Sequence, residues 1–302
     1  IRPLESTIGR GYMARGHLRR YRTTGNGDYR AKAEQCLQWL IENPSPDTPE
    51  YAWGKHFDFA SRIGRYPRLA PITVWTALIG MAFLEAYEQL GTGQYLDVAA
   101  SSARWMTALP RNETPRGICM GYTSRGDMGS TIHNHNMLAA AFLARTAALL
   151  RQAGRGGTEV DGFRALADGA MEYSCSQQHR DGSWFYGEEP KYAWIDNFHT
   201  GYNLDALRIY LAYTGDQRYA GAFERGLRFY IAHFFEPDGA PRYYHDRRYP
   251  IDSQCVAQAI DTLACSADAD PRALPKARTV TDWTISHMRG RDGHFYFRRY
   301  RG

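Results

Sequence analysis

Ile72-Thr73-Val74-Trp75-Thr76-Ala77-Leu78-Ile79-Gly80-Met81-Ala82-Phe83-Leu84-Glu85-Ala86-Tyr87-Glu88-Gln89-Leu90 is apolar on nearly every side when wound as a helix. A helix of that kind is enclosed by protein all round. Residues 217–234 are different: Tyr219, Phe223, Leu227, Tyr230, Ile231 and Phe234 make one stripe, opposed by Glu224, Arg225 and Arg228. That pattern belongs to a surface helix. Alternation of enclosed and surface helices predicts an all-α fold, an alpha/alpha toroid in which an outer ring of helices wraps an inner ring. A solenoid of stacked hairpins is the competing arrangement, and the all-round burial favours the closed ring.

Working outward, the same punctuation recurs. Thr24-Gly25 with Tyr29, Gly91 with Tyr95, and Thr214-Gly215 with Tyr219 each end one helical pattern and open another. Asp181-Gly182, Asp238-Gly239 and Asp292-Gly293 are turn signals followed by aromatic residues, with Gly117 and Tyr122 a weaker copy. An isoleucine precedes each enclosed helix at Ile8, Ile72, Ile132, Ile195 and Ile251. Inner helices are thus expected to start near 8, 72, 132, 195 and 251, with outer helices near 28–43, 94–109, 162–178, 217–234 and 276–288. Five hairpins are visible where a six-hairpin ring needs one more: either the ring has five hairpins or, as the stop after an Asp-Gly aromatic loop favours, the chain lacks its closing elements. No linker stands out, and residues 1–302 are expected to form a single domain.

Composition narrows the function. The chain has 302 residues, a net charge of +5 and only four lysines (Lys32, Lys55, Lys191 and Lys276) among 37 basic residues. Arginine suits carboxylate, sulfate or phosphate recognition, although arginine-rich codon usage explains the bias equally. The arginines are dispersed and carry no nucleic-acid-binding motif. No apolar run is long enough to span a membrane. Ile1-Arg2-Pro3 shows no export signal, and the five cysteines are scattered and odd in number. These features favour reduced thiols and a cytoplasmic location. No cofactor-binding loop is present, and His133-x-His135 is a poor metal pair, because neighbouring positions at a helix start point apart. Neither a cofactor nor a metal is expected.

In a toroid the N-termini of the inner helices surround the mouth of the central cavity and carry free N–H groups. The residues after the isoleucines, Gly9, Thr73, His133, Asp196 and Asp252, should line it. One turn on come Thr76, Asn136, His199 and Cys255, and Tyr202 follows His199. Asp196, Asp252, His199, Tyr202 and His133 are therefore the candidate catalytic residues. His135, Asn136 and Asn197 accompany them as candidate sugar-binding groups. Taken singly, Asp196 and Asp252 read equally as helix N-caps. Two loops add Trp53, His56, Asp58, Tyr244, His245 and Arg248 as candidate sugar-binding residues. Aromatic faces with Arg and Asp fit a carbohydrate cleft.

Trp53-Gly54-Lys55-His56-Phe57-Asp58-Phe59-Ala60-Ser61-Arg62, Ile132-His133-Asn134-His135-Asn136-Met137-Leu138, Ile195-Asp196-Asn197-Phe198-His199-Thr200-Gly201-Tyr202 and Tyr249-Pro250-Ile251-Asp252 resemble proteins of bacterial polysaccharide-biosynthesis clusters. The resemblance covers essentially the whole chain. It implies a six-hairpin toroid similar to six-hairpin glycosidases, and members that run on into another helix. A weaker similarity links Ala193-Trp194-Ile195-Asp196-Asn197-Phe198-His199-Thr200 to the helical domain of glucuronyl C5-epimerases. Gln178 to Trp184 is similar to the Gln-Trp repeats of triterpene cyclases, but the acidic motif of those enzymes is absent.

The expected function is a carbohydrate-active enzyme working on a uronate-containing bacterial polysaccharide or oligosaccharide. Hydrolysis, the reading the fold analogy favours, would use Asp196 and Asp252 as an acid and base pair in the central cavity; a uronate lyase or C5-epimerase is the alternative. Elimination or C5 epimerisation would use His199, Tyr202 and His133 as bases, with an arginine on the enolate. A non-catalytic glycan-binding protein of polysaccharide assembly is the alternative from another class. The oligomeric state is not legible.

Overall fold

The computed structural model describes residues 5–125 and 131–301. Ile1-Arg2-Pro3 and Gly302 lie outside the described residues. Two compact units emerge, 1–130 with 138–173, and 131–137 with 174–302.

In the first unit α1 (Thr7–Thr24) packs on α2 (Gly27–Glu42), α3 (Thr73–Leu90) on α4 (Gly93–Thr107), and α1 on α3. These are the expected hairpins, with the inner helices also touching each other. Twelve of the eighteen residues of α3 are buried, as its all-round apolar surface requires. Gly25 and Gly91 adopt left-handed conformations and close α1 and α3 through their N–H groups. Two short hairpins fill the loops, β1 (Phe59–Ser61) with β2 (Gly64–Tyr66), and β3 (Arg111–Thr114) with β4 (Gly117–Met120). Most of α5 (His133–Gln152) and α6 (Thr158–Ser176) belongs to this unit.

The second unit takes the first turn of α5, then α7 (Asn197–Thr214), α8 (Ala220–His233), α9 (Ser253–Cys265) and α10 (Ala273–Met288). Inner helices α7 and α9 pack together, each with its outer partner, α8 or α10. Their approach is close: a Cβ on Gly201 would lie 2.7 Å from Gln258 Cγ. A two-residue strand β5 (Ile251–Asp252) pairs antiparallel with β6 (Arg298–Arg299).

All ten expected helices are present, but the register of the isoleucine motif drifts. Thr73 and His133 are the first residues of their helices, whereas Asp196 and Asp252 are N-caps one position earlier. The aspartates accept backbone N–H bonds only from the cap position, so each delays its helix by one residue. Ile8-Gly9 falls inside α1, which is capped by Ser6.

The Asp-Gly turns repeat closely: φ is 96° at Gly182, 94° at Gly239 and 91° at Gly293. A Cβ at Gly182 would fall 2.3 Å from Arg225 O, and one at Gly239 2.7 Å from Thr279 O. Those two turns therefore rest on the backbone of the following outer helix. Gly293 meets nothing within 4 Å, and the aromatics after it, including Phe297 at 71% exposure, face solvent.

Candidate active site

The N-termini of α7 and α9 and the segment 184–196 assemble the candidate site within the second unit. Asp196 caps α7, and Oδ1 accepts the His199 backbone N–H at 3.0 Å. Oδ2 lies 2.7 Å from His199 Nδ1 and accepts Trp194 Nε1–H at 2.8 Å. A carboxylate only accepts, so the neutral ring carries its proton on Nδ1 and presents Nε2 as the basic nitrogen. The Asp196 side chain is fully buried, while that of His199 keeps 19% exposure. Asp196 is thus the orienting partner and His199 the group in reach of a ligand.

Aromatic rings wall this imidazole. Its centroid lies 3.9 Å from Phe198, 4.4 Å from Tyr186 and 6.4 Å from Tyr202. Tyr186 stacks on Trp194 at 4.5 Å, so the residue that anchors Asp196 also supports the wall.

Asp252 caps α9 and its Oδ1 accepts Gln254 N–H at 2.8 Å. Its Oδ2 accepts Nε and Nη2 of Arg298 at 2.9 and 2.7 Å. Tyr243 lies near enough to both aspartates to feel their charge. Its carbonyl accepts Asn197 N–H at 2.9 Å, and Arg298 lies over its ring at 5.5 Å. Burial raises the Tyr243 phenol, with smaller contributions from Asp196, Cys255, Tyr244 and Asp252. Tyr202 Oη accepts Gln254 Nε2–H at 3.3 Å. Asp196, His199, Tyr202 and Asp252 are therefore brought together, with both carboxylates engaged as caps and anchors.

His133 begins α5 with its ring wholly buried, and its backbone N–H donates to Tyr186 O at 3.0 Å. Nε2 lies 2.8 Å from Glu188 Oε1. That hydrogen bond, the largest influence, holds the Glu188 carboxyl below its usual range. Here Glu188, not the buried His133, carries the exposed atoms. Near the same segment His135 is buried, and buried Asn136 donates to Ser174 Oγ at 3.2 Å. Asn197 is buried and its Oδ1 accepts the Tyr230 hydroxyl at 2.7 Å.

Among the loop candidates, Tyr244 is half-buried and forms a backbone bridge to Asp196. His245 N–H donates weakly to Ile195 O, and Arg248 is held by Asp238 at 2.9 Å. Trp53, His56 and Asp58 lie in the first unit. Trp53 is completely buried, donates to Leu40 O at 3.0 Å and stacks on Phe83, so it is a core residue and not an open platform. An indole in a polar loop satisfied its N–H inward, a choice the local sequence does not reveal. His56 packs on Trp39, and burial lowers its pKa. Exposed Asp58 accepts Arg68 N–H at 2.7 Å.

Glu188, Arg298, Tyr186 and Trp194 were not among the expected site residues. Trp194 belongs to the stretch that resembles the C5-epimerase helical domain, and Tyr186 is one of the aromatics that follow the Asp181-Gly182 turn. Glu188 sits in a loop and Arg298 in the two-residue strand β6, neither with a periodic pattern, and their partners are 55 and 46 residues away. Among the described residues no cluster of three His, Cys, Asp or Glu side chains fits a metal ion, and no helix is long and apolar enough to cross a membrane.

No protein-family model matches the chain, and no curated protein matches it by sequence. Solved structures do. A cellobiose 2-epimerase from Bacillus thermoamylovorans B4167 superposes with a TM-score of 0.70 at 12% identity, over 97% of this chain and 80% of that one. A D-mannose isomerase gives 0.68 at 13%, over 97% and 79%. The GH76A alpha-1,6-mannanase from Salegentibacter sp. HEL1_6 gives 0.62 at 12%, over 96% and 81%. At such identities the likeness is one of fold, and the fold is the alpha/alpha toroid.

Proposed function

We propose that the chain is a carbohydrate-active enzyme that moves a proton at a sugar carbon, as an epimerase or isomerase acting on an oligosaccharide or polysaccharide end. The Asp196–His199 pair carries this reading. Asp196 fixes Nδ1, so Nε2 of a neutral His199 takes the proton from the carbon beside the sugar carbonyl. The electron pair moves onto that oxygen as an enolate. Protonation of the opposite face by water, with His199 giving its proton back to solvent, gives the epimer; a shift of the neighbouring hydroxyl proton to the enolate oxygen, followed by return of the His199 proton to the former carbonyl carbon, gives the isomer. Arg298, fixed by Asp252, supplies positive charge for an enolate or a uronate carboxylate. Glu188, kept ionised by His133, serves as a hydroxyl acceptor and not as an acid. The folds of an epimerase and an isomerase support the same chemistry.

Hydrolysis is the second reading. It is favoured by two carboxylates capping packed helices and by the mannanase fold. It requires Asp196 and Asp252 to leave their present partners, which weighs against it. Glycan binding without turnover remains the reading from another class.

The test is incubation with neutral and uronate-containing oligosaccharides in D2O. Carbon-bound deuterium that disappears in His199→Gln supports proton transfer. New reducing ends without deuterium assign hydrolysis, and binding without either product assigns a glycan-binding protein.

A further inference from the structure

Among the described residues Lys55 is an ammonium without a counter-ion. Its Nζ lies 3.0 Å from the ring centroid of Phe59, 4.4 Å from Trp75 and 5.5 Å from Phe57. No carboxylate or carbonyl partner accompanies these rings among the described residues. Burial lowers the amine to about 8. The backbone around it is built for the position. Lys55 O accepts Leu69 N–H at 2.6 Å, and Leu69 holds a left-handed φ of 62° that a leucine adopts only under constraint. A Cβ on Gly54 would fall 2.1 Å from Ala70 O, so the two strands of this loop touch through backbone. Trp75 stands in the first turn of α3 and is half-buried, while Phe57 is exposed. The surrounding residues 55–68 carry Arg62, Arg65 and Arg68 against Asp58 alone.

An unpaired cation walled by aromatic faces calls for an anion attached to a flat, partly apolar body. We infer that Lys55, Phe57, Phe59 and Trp75 form a binding site for a carboxylate-bearing sugar. The carboxylate meets Nζ from the open side, and the C–H face of the ring lies against Trp75 or Phe57. The basic hairpin β1–β2 faces the neighbouring acidic units of a glycan chain. This site uses none of the residues around His199, so either proposal can fail alone.

The small number of lysines makes the test direct. The protein is labelled with an amine-reactive reagent and the four lysine peptides are followed by mass spectrometry. Trimers of glucuronate, galacturonate and mannuronate are compared with a neutral trisaccharide and with acetate. At ten times its dissociation constant a bound sugar slows Lys55 labelling by about tenfold, leaving Lys32, Lys191 and Lys276 as internal references. Protection by an acidic trimer alone, lost in calorimetric titrations of Lys55→Met and regained in Lys55→Arg, is the expected result. Equal protection by the neutral trisaccharide or by acetate, or no protection by any trimer, overturns the assignment.

Discussion

Gly182, Gly239 and Gly293 occupy the same turn conformation but differ in what lies beyond them. Substitution by alanine therefore separates two costs. The first is conformational: a Cβ at positive φ costs about 1–2 kcal/mol, and all three variants incur it. The second is steric. At Gly182 the added carbon would sit 2.3 Å from Arg225 O and 2.6 Å from Arg225 C, both helix backbone that cannot rotate away. Displacing a packed helix adds about 1–3 kcal/mol. Gly182→Ala should thus lose about 2–5 kcal/mol, Gly293→Ala only about 1–2 kcal/mol, and Gly239→Ala an intermediate amount. Urea titrations followed by far-ultraviolet circular dichroism give the three midpoints. Losses for Gly182→Ala and Gly293→Ala within about 0.5 kcal/mol of each other, near the limit for independent sites, would refute the idea that these turns seat each hairpin on the next outer helix.

Asp196→Asn keeps the cap on Oδ1 but turns its NH2 toward both Trp194 Nε1 and His199 Nδ1, which share Oδ2 in the parent. It should cost about 1–3 kcal/mol in urea stability and, by releasing the His199 tautomer, lower any turnover by about 10²-fold or more. Arg298→Met strands the Asp252 carboxylate, which is 4% exposed; a loss of about 1–3 kcal/mol is expected, and Asp252→Asn in the same background should recover part of it. The Lys55 amine titrates near 8 in the folded chain and near ~10.4 when unfolded. Between those values the unfolded chain binds the extra proton, so the parent should gain stability relative to Lys55→Met as pH rises from 8 toward 10; thermal melts across that range with a flat difference would contradict the buried-amine account.

The helices were legible because burial leaves a periodic trace. The apolar surface of α3 and the single stripe of α8 differ in composition as their surroundings differ. Gly25, Gly91 and Gly215 mark helix ends by a backbone requirement that few other residues meet. The site was legible only in part. Asp196 and His199 stand three residues apart, so their pairing follows from helix geometry. Which of the two faces a ligand was hidden, because that depends on Trp194 closing over the carboxylate. Asp252 looked like a partner in hydrolysis for the same reason: Arg298 approaches it from a strand whose two-residue pairing has no sequence pattern. Trp53 shows the converse, an aromatic residue in a polar loop whose N–H is satisfied in the core.

The central claim is that Nε2 of His199, set by Asp196, exchanges a proton with a sugar carbon. Nuclear magnetic resonance of the sugar in D2O tests it most directly. Deuterium appearing at one carbon next to the anomeric carbon or to the carboxyl group with the parent protein, and absent with His199→Gln at unchanged urea stability, is the predicted result. Sugar conversion with His199→Gln as fast as with the parent, or conversion that leaves every carbon-bound hydrogen in place, would contradict it.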